Sequence, residues 1–449
     1  MKKEYLIEEP PFKALMFFAG PMILGNLFQQ LYTIVDTIII GRGVGMQALA
    51  SIGAADWINW LVLWGLQGFT QGFAILAAQE FGAGAYDRLR RVLAMIVKLS
   101  CWFGIAVTII SLLLVRPLLT LLHTDPAVFG GAQTYLYVQF GGSLIIIAYN
   151  MAAAVLRCLG DSRTPLFAII AASFANIALD LLFVMGFGWG IFGASFATVL
   201  AQLIAFLLCL RSLRRLPFVQ LTKADWKTDP AILLHLCRLG IPTGLQMSMI
   251  TLGGMVLQSV LNGFGVVFVA GYTAANKLYG ILESASVAFG YAMTAYMGQN
   301  LGARNAARID AGIRAVLVLS AEFTAAIVTA MLVAGKPLLG LFLSTEEAGA
   351  AEALAVAYQY LMVLMAFLFA LFMLQAYRSS LQGLGEMTVP TLSGFAEMLM
   401  RMGAALVLPT FIGQSGVFFA EGAAWVCAAA LNLVWYYMRI GKIKREMMR

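Results

Sequence analysis

The chain consists largely of long apolar runs, and these runs constrain its fold more than any other feature. A run of about 20 apolar residues is long enough to cross the hydrocarbon core of a bilayer as a helix. Twelve such runs lie approximately at residues 14–40, 55–80, 92–115, 132–156, 165–186, 190–210, 239–262, 267–297, 312–335, 355–377, 389–411 and 416–438. Because 61% of the residues are hydrophobic and only 11% are charged, the chain cannot cover a water-facing surface with charge. The sequence therefore predicts an all-α membrane protein with twelve transmembrane helices.

The basic residues indicate how these helices are oriented. With the N-terminus in the cytoplasm, the outer connections contain only Arg42, Arg116 and Lys336, whereas the inner connections and both ends hold most of the others. Lysine and arginine accumulate on the cytoplasmic side of membrane proteins. We therefore expect a multi-pass protein of the cell membrane, inner or cytoplasmic, with both termini in the cytoplasm. The net charge of +7 then reflects topology and contact with lipid rather than a nucleic-acid partner.

The sequence repeats itself in two halves. The motif at 77–84, AAQEFGAG, returns at 297–304 as MGQNLGAR, and the motif at 156–165, LRCLGDSRTP, returns at 381–390 as LQGLGEMTVP. Each half holds six spans, an even number, so the halves share one orientation and are related by an axis along the membrane normal. This arrangement predicts two pseudosymmetric six-helix lobes that form a central cleft.

The lobe boundaries follow from the basic, proline-containing stretch in the middle of the chain. We predict an N-lobe over residues 1–215, a cytoplasmic linker over 216–237 and a C-lobe over 238–449.

Asp36 is a lone carboxylate in the apolar run from Leu15 to Ile40. A charge at membrane depth costs about 2.5 to 3.5 kcal/mol on insertion scales, so such residues commonly bind ions or protons. The alternative is that Asp36 only pairs with a basic residue. No basic residue lies between Lys13 and Arg42, so that partner would come from another helix.

Polar residues recur at helical spacing on three of the predicted spans, so each set shares one helix face. They are Asn26, Gln29, Thr33 and Asp36 on the first span, Ser173, Asn176 and Asp180 on the fifth, and Thr198 on the sixth, where Ala194 lies on the same face. Oxygen ligands of these kinds suit Na+, and a pair of carboxylates can instead hold a proton. Alternatively, Asn176 and Asp180 only join helices through hydrogen bonds.

Several motifs resemble the multidrug and toxic compound extrusion (MATE) family. They are PMILGNLFQQLYTIVDTIIIGR in the first span, then AAQEFGA, LRCLGDSRTP, NIALDLLF followed by GIFGASFAT, and GQNLGARN. Membership implies a monomeric, V-shaped pair of six-helix bundles that exports amphipathic, often cationic small molecules in exchange for H+ or Na+. It implies no cofactor and no metal beyond Na+ at the coupling site.

The resemblance also implies roles for individual residues. Asp36, Asn176, Asp180 and Thr198, with the backbone of Ala194, match the cation-binding pattern of the family's N-lobe. Pro21 removes a backbone hydrogen bond from the first span, and the resemblance implies that this helix bends there. A static kink that only shapes packing is the alternative.

The C-lobe departs from the pattern of relatives that carry an acidic cation site there. Its seventh and tenth spans contain no carboxylate, and Arg401 takes the position that corresponds to Asn176. Glu397 precedes Arg401 by four residues, a spacing at which the two charges neutralise each other on one helix; cargo binding is the alternative. We therefore expect coupling in the N-lobe only, with Glu283 and Glu322 as candidate contacts for cationic cargo.

Three functions are consistent with these patterns. They are a cation-coupled drug exporter, a flippase of lipid-linked saccharides from the same superfamily, and a membrane-embedded enzyme. The enzyme has least support, because the two histidines, His123 and His235, lie outside the spans and no nucleophile–base spacing is present. The flippase requires a strongly basic cleft, yet the spans contain few basic residues. The sequence does not choose between H+ and Na+ and does not identify the cargo.

Overall fold

A computed structural model describes residues 5–343 and 349–448, and these residues form helices and no β-strand. In chain order the helices are α1 (Tyr5–Glu8), α2 (Pro11–Gly43), α3 (Met46–Gly82), α4 (Tyr86–Leu121), α5 (Pro126–Gly141), α6 (Ser143–Cys158), α7 (Arg163–Asp180), α8 (Gly190–Arg214), α9 (Pro230–Asn262), α10 (Val266–Gly302), α11 (Ala306–Gly340), α12 (Ala350–Gly383), α13 (Thr388–Ile412) and α14 (Phe419–Met448).

Nine of the predicted spans each lie within one long helix. The other three are the span at 132–156, which covers α5 and α6, the span at 165–186, which covers α7 and the π-helical turn after it, and the span at 416–438, which covers α14 and the end of the short 3₁₀ turn before it. Ten of the described helices are long and apolar enough to cross a membrane, and α5 with α6, bent by 50°, makes an eleventh span. The remaining predicted span, 267–297, lies in α10, which carries Lys277 and Glu283. Because α10 packs against α11 and α12, many of its residues face protein rather than lipid and need not be apolar.

The chain divides into two compact units. Of the described residues, 20–244 form the first unit, and 5–19 together with 245–448 form the second. Both divisions fall inside a helix, because Ala19 and Gly20 are consecutive in α2 and Gly244 and Leu245 are consecutive in α9. The first helix of each sequence repeat is therefore shared by both units.

Glycines allow a very close approach of α3 and α9 within the first unit. A Cβ atom on Gly72 would lie 2.6 Å from the Cα atom of Gly240, and one on Gly68 would lie 2.7 Å from the carbonyl oxygen of Thr243. Real Cβ atoms do not approach backbone so closely, so only glycine fits at these positions. The two backbones are consequently in direct contact.

The segment between α8 and α9 is pinned to α4. The ammonium group of Lys98 donates to the carbonyl oxygen of Trp226 and to the hydroxyl of Thr228 at 2.9 Å. Asp225 accepts from the backbone and hydroxyl of Thr222, both at 2.7 Å, and lies 3.8 Å from Arg90. Burial opposes ionisation, but these hydrogen bonds and Arg90 outweigh it and hold the pKa of Asp225 below its usual value. Lys98 thus fixes this connection.

In the second unit, the N-terminal segment is held by side chains of α10 and α11. The carbonyl oxygen of Leu6, whose side chain is fully buried, accepts from Asn300 at 3.1 Å and from Arg308 at 3.0 Å. Arg308 also donates to the carbonyl oxygen of Glu9 at 2.6 Å. These bonds fasten α1 and the residues directly before α2 to α10 and α11.

Substituting Gly72 tests the contact between α3 and α9. We expect Gly72→Ala to destabilise the protein by about 1 to 3 kcal/mol, since the added methyl overpacks a tight contact. Gly53→Ala is the matched control, because it makes the same change in the same helix where the space is open. Thermal unfolding of the purified protein should give a lower melting temperature for the Gly72 variant alone. Equal melting temperatures for the two variants would contradict the close approach.

Candidate cation-binding site

The structure brings Asp36 of α2 and Asp180 of α7 together in the first unit. Asp180 is fully buried and Asp36 half-buried, and their carboxyl groups lie within hydrogen-bonding distance of each other. One oxygen of Asp36 and both oxygens of Asp180 have no hydrogen-bond donor among the described residues. Two carboxylates this close repel each other strongly unless a proton or a cation lies between them. The pair therefore has the geometry of a site that takes up positive charge.

Asn176 lies one helical turn before Asp180 and shares its face of α7. Its side chain is only 1% exposed, and neither its amide nitrogen nor its amide oxygen has a partner in the described structure. An unsatisfied buried polar group costs about 1 to 3 kcal/mol. The amide oxygen is thus available as a neutral ligand beside the two carboxylates.

The backbone changes directly after Asp180. Leu181–Gly186 forms a π-helical turn, in which the amide of Phe187 donates to the carbonyl oxygen of Leu182 at 2.8 Å, five residues earlier. Such turns are rare and occur frequently at functional sites. Asp180 therefore sits at a junction between two helical geometries, a feature that residue spacing alone does not reveal.

The predicted ligands on α8, Ala194 and Thr198, are located relative to the carboxylate pair only through their neighbours. The hydroxyl of Thr198 donates to the carbonyl oxygen of Ala194 at 3.2 Å. Ala194 itself packs with Ile39, Ile40 and Val184 in a small apolar cluster. These neighbours lie within one turn of Asp36 and Asp180 along the chain, so α8 adjoins the carboxylate pair.

The predicted polar stripe of α2 extends away from Asp36. Asn26 is half-buried, whereas Gln29 and Thr33 are exposed. The hydroxyl of Thr33 donates to the carbonyl oxygen of Gln29 at 2.9 Å. This hydroxyl is satisfied by its own helix, and only its lone pairs remain available to a ligand.

Further polar residues, which the sequence patterns did not single out, surround the carboxylate pair. Tyr32 lies within electrostatic reach of both Asp36 and Asp180, and Asp56 of α3 lies within reach of Asp36. The hydroxyl of Tyr135 accepts from the amide of Asn59 at 3.2 Å and interacts with Asp56 and Asp36. Tyr32 stands four residues before Asp36, so helical spacing could have identified it; the contributions of α3 and α5 require tertiary packing.

In the second unit the buried charges neutralise one another. The predicted pair between Glu397 and Arg401 forms at 3.1 Å, and it is extended by Arg378, 2.5 Å from Glu397, and by Glu421, 2.8 Å from Arg401. The two additional partners come from α12 and α14. We call these four residues the charge network.

The two candidate cargo residues have different surroundings. Glu283 of α10 is half-buried, lies within electrostatic reach of Glu421 and shares a side-chain hydrogen bond with Tyr279. Glu322 is exposed on α11.

The family model described as MatE matches residues 21–182 and 242–407, well over half of the chain. The chain belongs to the MATE family. The two matched segments begin at Pro21 and Pro242, so the model recognises the same repeat that the motifs indicate. The predicted family is thereby confirmed.

Several known proteins are similar to this MATE protein over almost its whole length. It is 32% identical over 446 residues to the probable multidrug resistance protein YpnP of Bacillus subtilis strain 168, across 96% of both chains. It is 23% identical over 456 residues to the multidrug export protein MepA of Staphylococcus aureus strain NCTC 8325, across 97% of this chain and 96% of that one. A solved structure of a multidrug resistance MATE family transporter of the MOP superfamily, in an outward-facing conformation, matches with a TM-score of 0.91, 24% identity and 99% coverage of each chain.

These likenesses confirm the all-α fold, since the solved MATE structures have twelve helices in two lobes. MATE proteins are ion-coupled antiporters rather than enzymes. The multi-span fold and the bacterial homologues imply a cell membrane, and the drug-efflux homologues imply small-molecule substrates.

Asp56 offers a test of the electrostatics around the carboxylate pair. Neutralising it in Asp56→Asn should lower the apparent affinity for the coupling cation roughly threefold to tenfold, because a nearby negative charge is lost. Asp87→Asn removes an acidic group from the same unit that is 88% exposed, and it should leave the affinity unchanged. The measurement is the half-maximal H+ or Na+ concentration for transport in liposomes. An unchanged value in Asp56→Asn would show that Asp56 does not act on the site.

Proposed function

We propose that the protein is a secondary active antiporter that exports amphipathic, often cationic small molecules in exchange for H+ or Na+, with coupling at Asp36 in the N-lobe. The observation that carries this proposal is the buried contact between Asp36 and Asp180, which has no basic partner in the described structure. Asn176, Thr198 and the backbone of Ala194 complete the proposed cation-binding set. Binding of one H+ or Na+ lowers the negative charge of this set by one unit, and its release restores that charge.

Discharge of the site is linked to helix movement through α2. Asp36 lies in the first unit, whereas the beginning of the same helix belongs to the second unit, where Asn300 and Arg308 hold the segment directly before it. The division between units falls at Gly20, next to Pro21, and a Cβ atom on Gly20 would meet nothing within 4 Å. Proline lacks the amide that holds a helix straight, and open space leaves room for bending. These features support Pro21 as the hinge.

Cargo recognition is proposed to involve the acidic residues of the C-lobe. Glu283 forms no salt bridge among the described residues, so its charge is available to a cationic group. Glu322, exposed on α11, is a second candidate with less support from its surroundings.

The arrangement of basic residues favours this function over a flippase of lipid-linked saccharides. A pyrophosphate-bearing lipid requires several free positive charges. Arg378 and Arg401 are neutralised by glutamates, and Lys98 is bonded to Trp226 and Thr228. Lys277 alone remains exposed among the intramembrane basic residues named above.

Location and assembly complete the proposal. The distribution of lysine and arginine supports cytoplasmic placement of both termini and of the linker, residues 216–237. We propose that the protein functions as a monomer in the cell membrane.

The assignment of Asp36 is tested by Asp36→Asn. Asparagine is nearly isosteric but neither exchanges a proton nor offers an anionic ligand, so coupled export should be abolished while the protein still folds. The measurement is drug accumulation in drug-sensitive cells at matched membrane abundance, with Asp87→Asn as the control. Equal resistance in wild type and Asp36→Asn would overturn the assignment.

The coupling ion is tested in liposomes that contain the purified protein. Since the site offers carboxylates for H+ and oxygen ligands for Na+, an imposed gradient of one of these ions should drive cargo movement. Each gradient is imposed alone, with choline replacing Na+ and buffers holding pH constant. Transport that responds to neither gradient would remove antiport from consideration.

A further inference from the structure

Arg401 occupies an unusual position in the second unit. Its side chain is 5% exposed and contacts three different helices. It donates to Glu397 at 3.1 Å on its own helix, lies 2.8 Å from Glu421 of α14, and donates to the carbonyl oxygen of Ile250 of α9 at 3.0 Å. A cation held by two carboxylates and a backbone carbonyl has the ligand set of a bound metal or ammonium ion.

The sequence repeat places Arg401 where the first unit has its candidate site. The repeated motifs near α7 and α13 are offset by 225 residues, which pairs Arg401 with Asn176 and Ala405 with Asp180. The offset of 221 between Pro21 and Pro242 pairs Leu257 with Asp36. The carboxylates of the first unit are thus replaced by apolar side chains, and a guanidinium stands at the position of the ligand amide.

The space around Arg401 is large enough for a guanidinium to stand where the first unit has an amide. By the same offset of 221, Gly253 of α9 corresponds to Tyr32, which lies beside Asp36. A Cβ atom on Gly253 would already lie 3.5 Å from the Cδ and Nη1 atoms of Arg401. A tyrosine at this position would have no room, so the glycine makes space for the guanidinium.

Charged groups surround Arg401 from four helices in the described part of the chain. They are Glu283 on α10, Arg378 on α12, Glu397 on α13 and Glu421 on α14, with Tyr272 and Tyr279 of α10 also within electrostatic reach. Glu397 has a second basic partner in Arg378, whereas Glu421 has only Arg401 as a basic partner among the described residues. Removal of Arg401 would therefore leave Glu421 without a counter-charge, close to Glu283.

From these contacts we infer that the guanidinium of Arg401 is a built-in cation, which permanently fills the second unit's counterpart of the candidate site in the first unit. The second unit consequently takes up no exchangeable ion. A structural ion pair, by contrast, would serve only to hold α13 and α14 together, and no free ion could replace it.

The inference predicts that a free cation can substitute for the side chain. The parent for the test is the Asp36→Asn, Asp180→Asn protein, whose candidate site in the first unit can bind no cation through carboxylates. Its melting temperature should be the same in sodium, choline and methylguanidinium chloride at equal, non-denaturing concentration. Adding Arg401→Met should produce a melting temperature that rises with Na+ or methylguanidinium but not with choline. The rise should be roughly 5 °C and should keep growing with the logarithm of the ion concentration, as expected for a ligand that binds only the folded state.

Two further variants in the same parent serve as controls. Arg401→Lys retains a positive charge and should show no response to added cations. Arg401→Met combined with Glu421→Gln removes the surplus carboxylate and should also show none. A methionine variant that yields folded protein only in Na+ or methylguanidinium supports the inference equally.

Other outcomes overturn it. They are an Arg401→Met response no larger than that of the parent, a response that persists without Glu421, and loss of folded protein in all three salts for both the methionine and the lysine variants. Because Asp36 and Asp180 are both replaced in the parent, and the parent's own salt response is subtracted, these outcomes do not depend on whether Asp36 couples transport.

Discussion

Charge inside a helix bundle must be neutralised where it lies, because neither lipid nor packed protein can solvate it. The two units meet this constraint in different ways. In the first, Asp36 and Asp180 approach each other with no basic side chain to balance them. In the second, two glutamates and two arginines form a closed network. The sequence repeat thus supports two opposite solutions at corresponding positions.

This difference bears directly on how an antiporter would work. A charge network that is already neutral gains little from taking up another ion, since each carboxylate has its counter-charge in place. A pair of carboxylates that lacks a counter-charge changes its net charge whenever a proton or cation arrives or leaves. Under the proposed function, exchange with the surroundings belongs to the first unit, and the second is free to present Glu283 to a cationic molecule.

Two helices belong to both units, and under the proposed function they carry the effects of such a change beyond the site. Both α2 and α9 cross from one unit to the other, and each contains a proline close to the crossing, Pro21 and Pro242 respectively. The segment directly before α2 is held by Arg308 and Asn300, whereas the beginning of α9 is packed against α3 through glycines. Under the proposed function, a change of charge at Asp36 therefore acts on a helix that follows a segment held in place.

The sequence by itself determined the helical membrane fold, the repeat and the family. Runs of apolar residues and the spacing of motifs express the bilayer and the helix period, and both are local properties of the chain. Helical spacing also identified Asp36, the face shared by Asn176 and Asp180, and the pair of Glu397 with Arg401. Tertiary structure alone decided which faces meet: it brought Asp36 to Asp180, placed Asp56 and Tyr135 nearby, and joined Arg378 and Glu421 to the charge network. Neighbours within one helix follow from its period, but neighbours on different helices depend on how side chains pack across the bundle, which no single helix specifies.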